Sequence, residues 1–244
     1  MFLIEQMTRL QVEAQIQKYP VAILPIGSCE QHGPHLPLAT DSILAEALAR
    51  RISQKTGALV YPTLHFSYSW VWRDIPGTMS ISTVQLQSVL TELAGSAQRS
   101  GIRLLVFLNG HEANNNAIKY AIRQAQDVTS VQLLRMFYPG IGEVYETEME
   151  SPTWGSGMFH ACEFETSLML AARPELVDMS LAVAEYPQKP PLYGVDTSSL
   201  GAISKSGVYG DATLATREKG ERMFTAFAEK AASIIALAYN QEGD

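Results

Sequence analysis

Four short apolar runs, each rich in branched side chains and each leading into a stretch of helical periodicity, constrain this chain more than any other feature. They are VAILPI at 21–26, ALVYP at 58–62, IRLLVFLNG from Ile102 and VQLLRMF at 131–137. Runs of this length with little polar alternation suit strands covered on both faces. Strands separated by helices run parallel, because a crossover helix returns the chain to the end from which the last strand began. The intervening segments carry start signals. Asp41 can cap a helix through LAEALARRI, Ser82 and Gln85 have capping-box spacing before LQSVLTELAGSAQ, and Asn114 can open NNAIKYAIRQAQ. DATLATREKGERMFTAFAEKAASIIALAY is expected to form a long amphipathic helix, capped by Asp211 and interrupted near Gly220. The Gly- and Pro-rich stretches 138–159 and 185–210 are expected to run over the surface. The fold class implied is α/β with a parallel sheet, and 244 residues are expected to form one domain, 1–244.

Several function classes are disfavoured. No stretch nears the roughly 18 unbroken apolar residues of a membrane span, and the N-terminus lacks the basic start and long apolar centre of an export signal. A net charge of -7 without any Lys/Arg cluster disfavours nucleic acid as a partner. No GxGxxG follows a strand, which argues against a dinucleotide site. Cys29 and Cys162 are too few for a disulfide framework and are read as small packing residues, so the cytoplasm is the expected compartment.

In parallel α/β sheets the loops after the strands gather on one edge, where ligands bind. GSCEQHGPHLPLATD, after the first run, carries Glu30, His32, His35 and Asp41. GHEANNN, after the third, brings His111 and Glu112, and a later island, FHACEFETS, offers His160, Glu163 and Glu165. Imidazole and carboxylate together bind divalent metals, and Asp41 is placed to bridge two. A purely structural reading stands beside this: Asp41 as a helix cap, His32 packed, and Glu163 and Glu165 complementing a helix dipole.

Taken together and in order, GSCEQHGPHLPLATD, PGTMSIS at 76–82, LNGHEANNNA at 108–117, FHACEFETSLML at 159–170 and GVYGDATLATREKG at 207–220 resemble the creatininase family of metal-dependent hydrolases. The resemblance implies a layered α/β/α fold around a parallel-rich sheet, a homohexamer, and two divalent ions per subunit. Zinc is the first choice of metal, with manganese and iron as alternatives. Glu30, His32, Asp41 and His111 fall on the family's ligand positions and His160 on its catalytic histidine. Ala113 stands where creatininase proper has a fifth ligand, so Glu163 is the preferred substitute, Glu112 the second, and Glu165 is read as structural.

The expected division is Glu30, Asp41 and His111 on one metal and His32, Asp41 and Glu163 on the other. A shared water would attack a small amide, formamide or peptide carbonyl, and His160 would handle protons. Trp72 and Trp154 are candidates for substrate contact, with Tyr68, Trp70 and Arg73 beside the first. The alternative from another class is a non-catalytic small-molecule or metal-binding protein that retains the fold.

Overall fold

The structure is a computed structural model that describes residues 1–155, 157 and 159–240. Five parallel strands form its sheet: β1 (Phe2–Leu3), β2 (Val21–Ile26), β3 (Leu59–Val60), β4 (Leu104–Asn109) and β5 (Gln132–Phe137), in the order β1-β3-β2-β4-β5. β2 and β4 pair over their full length, from Val21 opposite Leu104 to Ile26 opposite Asn109, so their last residues lie side by side. Among the described residues seven α-helices surround the sheet: α1 (Arg9–Lys18), α2 (Thr40–Thr56), α3 (Thr83–Arg99), α4 (Asn115–Gln126), α5 (Ile141–Glu148), α6 (Glu163–Ala172) and α7 (Arg217–Asn240). A small antiparallel pair, β6 (Ala184–Glu185) with β7 (Gly210–Asp211), ties the late loops together.

The period-2 geometry of a strand divides the core in two. Val21, Ile23, Leu104, Val106 and Leu108 pack against Leu44 and Leu48 of α2, Phe164 and Leu168 of α6, and Phe224 and Phe227 of α7. Alternate residues Ala22, Leu24, Ile26, Leu105 and Phe107 meet Leu86 and Leu90 of α3 and Ile118 and Ala121 of α4. Every residue of β2 and β4 is therefore buried, and the architecture is α/β/α, as the uninterrupted apolar runs imply. No described helix is long and apolar enough to cross a membrane.

The helix starts differ from expectation in ways that bear on the site. Ser82 and Gln85 do form the capping box of α3. Asp41 caps nothing: Ala39 is the N-cap of α2, and Asp41 sits inside the first turn. Asn114 stands at the N-cap of α4, as expected, but its side chain makes no cap hydrogen bond. Its side chain donates to the carbonyl of Gly27 (3.2 Å) and accepts the backbone N–H of Tyr68 (3.2 Å), fastening the loop after β2 to that after β4. Asp211 caps only the short turn Ala212–Leu214, and α7 begins at Arg217 and runs unbroken through Gly220. Gly220 is where α7 touches α6, since a β-carbon there would collide with the carbonyl of Ser167. The 138–159 stretch contains α5, and the N-terminal segment supplies β1 and α1; none of these three was anticipated.

Candidate metal centre

The site lies at the C-terminal ends of β2 and β4. Beyond Ile26 the chain turns through Gly27 and Ser28 to Glu30, and beyond Asn109 through Gly110 to His111. Gly110 permits the close approach on which the site depends: a β-carbon there would stand 2.5 Å from the carbonyl oxygen of Asp41, so any larger residue would push His111 away from the start of α2. α6 contributes Glu165 from its first turn, and His160 just before it is held by backbone pairing with Tyr209.

These elements bring together three groups of side chains suited to holding a cation: Glu30, Asp41 and His111; His32, Asp41 and Glu165; and Glu30, His32 and His160. Asp41 belongs to the first two. Its Oδ1 lies 3.1 Å from His32 Nε2 and its Oδ2 3.0 Å from His111 Nδ1, and Oδ2 also accepts the Ser28 hydroxyl at 2.7 Å. His32 donates its Nδ1–H to the carbonyl of Glu30 (3.1 Å), which turns Nε2 into the cluster. His111 Nε2 donates to the carbonyl of Tyr68 (2.9 Å) and lies 3.3 Å from Glu30 Oε2.

Glu30, Asp41 and Glu165 are all buried, and none has a Lys or Arg partner among the described residues. Neither carboxylate oxygen of Glu30 accepts a hydrogen bond there. Burying an ionised carboxylate without a partner costs several kcal/mol or more, roughly, so such an atom calls for a cation. In the protein alone, protons on the imidazoles answer that call. Burial lowers the pKa of His32 and His111, but Asp41 with Glu165 and Glu30 outweighs it at His32, raising it to about 10, and Glu30 with Asp41 raises His111 to about 9. Burial lifts Glu30 and Glu165 above the carboxylate range, while at Asp41 the two imidazoles overcome burial and hold the group well below 3.8. Carboxylate oxygens and imidazole nitrogens in this mixture fit a divalent cation of the zinc or manganese kind.

Glu163 is not part of this arrangement, which corrects the expected ligand set. Its carboxylate is fully buried on another side of α6, where it pairs with Lys219 and accepts the backbone N–H groups of Glu150 and Ser151 (2.8 Å for Ser151). Glu165, read from the sequence as structural, takes the place assigned to Glu163, with Oε2 3.9 Å from His32 Nε2 and accepting the N–H of Ala161. Glu112, the second substitute, belongs to none of the three groups and lies exposed beside them. His35 is buried outside the cluster and hydrogen-bonds Thr166 Oγ1 at 2.9 Å.

His160 stacks on Trp72 (ring centroids 4.5 Å apart) and lies tilted against His32 (4.4 Å). Its Nε2 lies 2.8 Å from the carbonyl oxygen and 3.0 Å from the side-chain amide nitrogen of Gln31, and its Nδ1 is on the side of Glu30, 3.8 Å from Oε1. Burial and the neighbouring His32 charge hold its pKa well below 6.5, so the ring is neutral. Gln31 and Tyr138 also border the site, and no motif in the sequence singles them out. Gln31 positions His160, and its amide also donates to Gly207. Tyr138 is buried near Asp41 and Glu165, whose charges, with burial, hold its phenol protonated.

A cavity of about 320 Å³ opens over the cluster, lined by Val71, Trp72, Phe137, Phe159, Leu200 and Glu112 above Glu30, His111, His160 and Glu165. Trp72 thus reaches both the cavity and His160. Trp154 does not line the cavity. It is buried edge-on to Tyr193 and Tyr209 and donates its indole N–H to the carbonyl of Pro187 (2.6 Å), so it supports the loops that hold His160. Tyr68 reaches the cluster through its carbonyl, and Trp70 carries the Arg73 guanidinium on its face at 3.7 Å.

The model of the creatininase family, described as creatinine amidohydrolase, matches residues 5–235. The chain is 33% identical over 215 residues to the creatinine amidohydrolase of Pseudomonas putida, covering 82% of this chain and 83% of that protein. It is also 33% identical over 213 residues to the mycofactocin precursor peptide peptidase of Mycolicibacterium smegmatis, covering 84% and 80%. A crystal structure of creatininase superposes with a TM-score of 0.87 at 28% identity, covering 97% of both chains. Other solved creatininase structures are described as a Zn-Zn type and as a Mn form.

Proposed function

From the premise that the chain belongs to the creatininase family of amidohydrolases, enzymes that act on C–N bonds, we propose that it hydrolyses a small amide, formamide or peptide bond at a two-metal centre. The observation that carries this reading is the pair of buried, unbonded oxygens of Glu30 beside a carboxylate, Asp41, that belongs to two ligand groups at once. Glu30, Asp41 and His111 would hold one ion, and His32, Asp41 and Glu165 the other, zinc first and manganese or iron in its place. Two divalent ions supply a water of lowered pKa and an electrophile for the carbonyl oxygen.

The residues around them supply the rest. Nδ1 of His160, free to accept, takes a proton from the attacking water and delivers it to the departing nitrogen. The Gln31 carbonyl, accepting from an Nε2–H, supports the tautomer that makes this possible, and Trp72 fixes the plane of the ring. The apolar wall of Val71, Phe137, Phe159 and Leu200 keeps bulk water from competing at the carbonyl. The homohexamer expected from the resemblance is checked by light scattering, and a monomer would count against it.

The test is elemental analysis of wild type and Asp41→Ala, with hydrolysis of creatinine, formanilide and short peptides followed before chelation and after metal return. Wild type should hold about two ions per subunit, and the variant should lose them together with at least about 100-fold in activity. Full metal content in Asp41→Ala would remove the bridging role.

A further inference from the structure

Among the described residues, Glu112 is the one ionisable group of the cavity that the proposed chemistry does not use. It follows His111 directly, so the strand end that positions a metal ligand also fixes its backbone. Its side chain is exposed and lines the cavity on the same side as Ala113. No described residue gives it a hydrogen bond or an ion pair, and no Lys or Arg among them lines the cavity. Its charge reaches Tyr193, whose phenol it and burial hold above its ordinary value of 10.0. Lys189, the cation near that ring, lies over the faces of Trp154 and Tyr193 at 5.3 and 5.6 Å.

The balance of charge gives this lone carboxylate a consequence. Two divalent ions would neutralise Glu30, Asp41, Glu165 and an ionised water among them, leaving the apolar wall neutral and Glu112 as the net charge a substrate meets. We propose that Glu112 is a specificity residue that selects substrates carrying a protonated nitrogen on the side away from the scissile carbonyl, and disfavours those with a free carboxylate there. The inference rests on the two-metal reading above. The cavity volume admits a single ring with a short substituent, and the aromatic and aliphatic lining suits its faces. An ammonium near Glu112 gains attraction, and a carboxylate in the same place meets repulsion, so one residue provides both the favourable and the excluding half of the discrimination.

The experiment separates this inference from the reading beneath it by measuring binding rather than turnover. Three benzohydroxamic acids share a metal-seeking head and differ only at the para position: aminomethyl, hydrogen or carboxylate. Each is titrated calorimetrically into the metal-loaded wild type, Glu112→Gln and Glu112→Lys. In wild type the aminomethyl compound should bind tighter than the carboxylate by about 5–20-fold, with the unsubstituted acid between them and the spread narrowing at high salt. Glu112→Gln should bring all three within about twofold of one another, and Glu112→Lys should invert the order. Three equal affinities in wild type, or a spread that survives Glu112→Gln, would overturn the role of Glu112 while leaving the metal centre standing. If none of the three bound any of the proteins, the metal reading would fall and this inference with it.

Discussion

Glu163 and Glu165 stand two residues apart in the first turn of α6, both buried, yet they belong to opposite designs. Glu163 meets a resident cation: Lys219 Nζ pairs with it and also reaches Glu150 Oε1 (2.6 Å) and the carbonyl of Leu214 (3.0 Å), while two backbone N–H groups complete the carboxylate's shell. Glu165 faces His32, with Asp41 and Glu30 behind it and no lysine or arginine among the described residues to neutralise them. A buried acid with its own lysine is a structural joint, here binding α6, α7 and the loop at 150–151. A buried acid cluster balanced only by imidazoles is built to exchange protons for a removable cation.

The largest effect that would break this contrast is a comparison of two substitutions in the chelated protein. Lys219→Met strands the buried Glu163 charge and should lower unfolding free energy by about 3–5 kcal/mol. Asp41→Asn takes away the carboxylate that both imidazoles face, but these can release their protons, so it should cost less, about 1–2 kcal/mol. Urea midpoints read both. Equal losses would mean that the two clusters are the same kind of structure.

The two designs should also respond to pH with opposite sign. His32 and His111 have folded pKa values of about 10 and about 9, raised from 6.5, so the stability they contribute to the chelated fold is fully present below 6.5 and lost as pH rises through 9 to 10. Glu30 and Glu165, raised by burial, act in the same direction at lower pH. At Glu163 burial pushes up, but Lys219 and the N–H of Ser151 outweigh it and hold the group below 4.5; its contribution is present above 4.5 and lost as pH falls. Raising the pH from 6 to 9.5 should therefore destabilise the chelated protein by on the order of 2 kcal/mol and the metal-loaded protein much less, because metal has replaced the protons. Parallel pH profiles with and without chelator would contradict the exchange of protons for metal.

The same pair of glutamates shows where sequence reasoning stops. β2, β4 and the capping box of α3 were legible because each is a local pattern: an apolar run, or Ser and Gln at fixed spacing. Glu30, His32, Asp41 and His111 were legible as candidates because they follow those strands. Which of Glu163 and Glu165 faces the sheet edge depends on the rotation of α6, and that is set by contacts far along the chain, Lys219 for one and His32 for the other. Asp41 looks like a cap because it opens a helix, and its contacts with His32, His111 and Ser28 show that its carboxylate turns inward instead. The capping box of α1, Thr8 with Gln11, was a signal present in the sequence and passed over.

A third acid sharpens the contrast at the small end. Among the described residues Glu185 has neither an ion-paired lysine nor a place in a metal-suited group. It accepts the hydroxyl of Ser204 (2.9 Å), the N–H groups of Lys205 and Ser206 (2.8 Å each) and the hydroxyl of Ser206, holding the loop before Gly207, to which Gln31 is bound. Burial raises its pKa, but these donors outweigh it and keep the group below 4.5. Because the group is only partly buried, water can replace what a substitution removes. Glu185→Gln should therefore cost about 0.5–1.5 kcal/mol, with faster amide exchange confined to residues 204–208. Acidification should loosen the same segment in wild type as pH falls through the folded pKa, and leave the variant unaffected. Should the variant instead lose as much stability as Lys219→Met, hydrogen-bond donors alone would suffice to hold a buried carboxylate in this fold. The distinction between acids with and without a cation would then have to be drawn elsewhere.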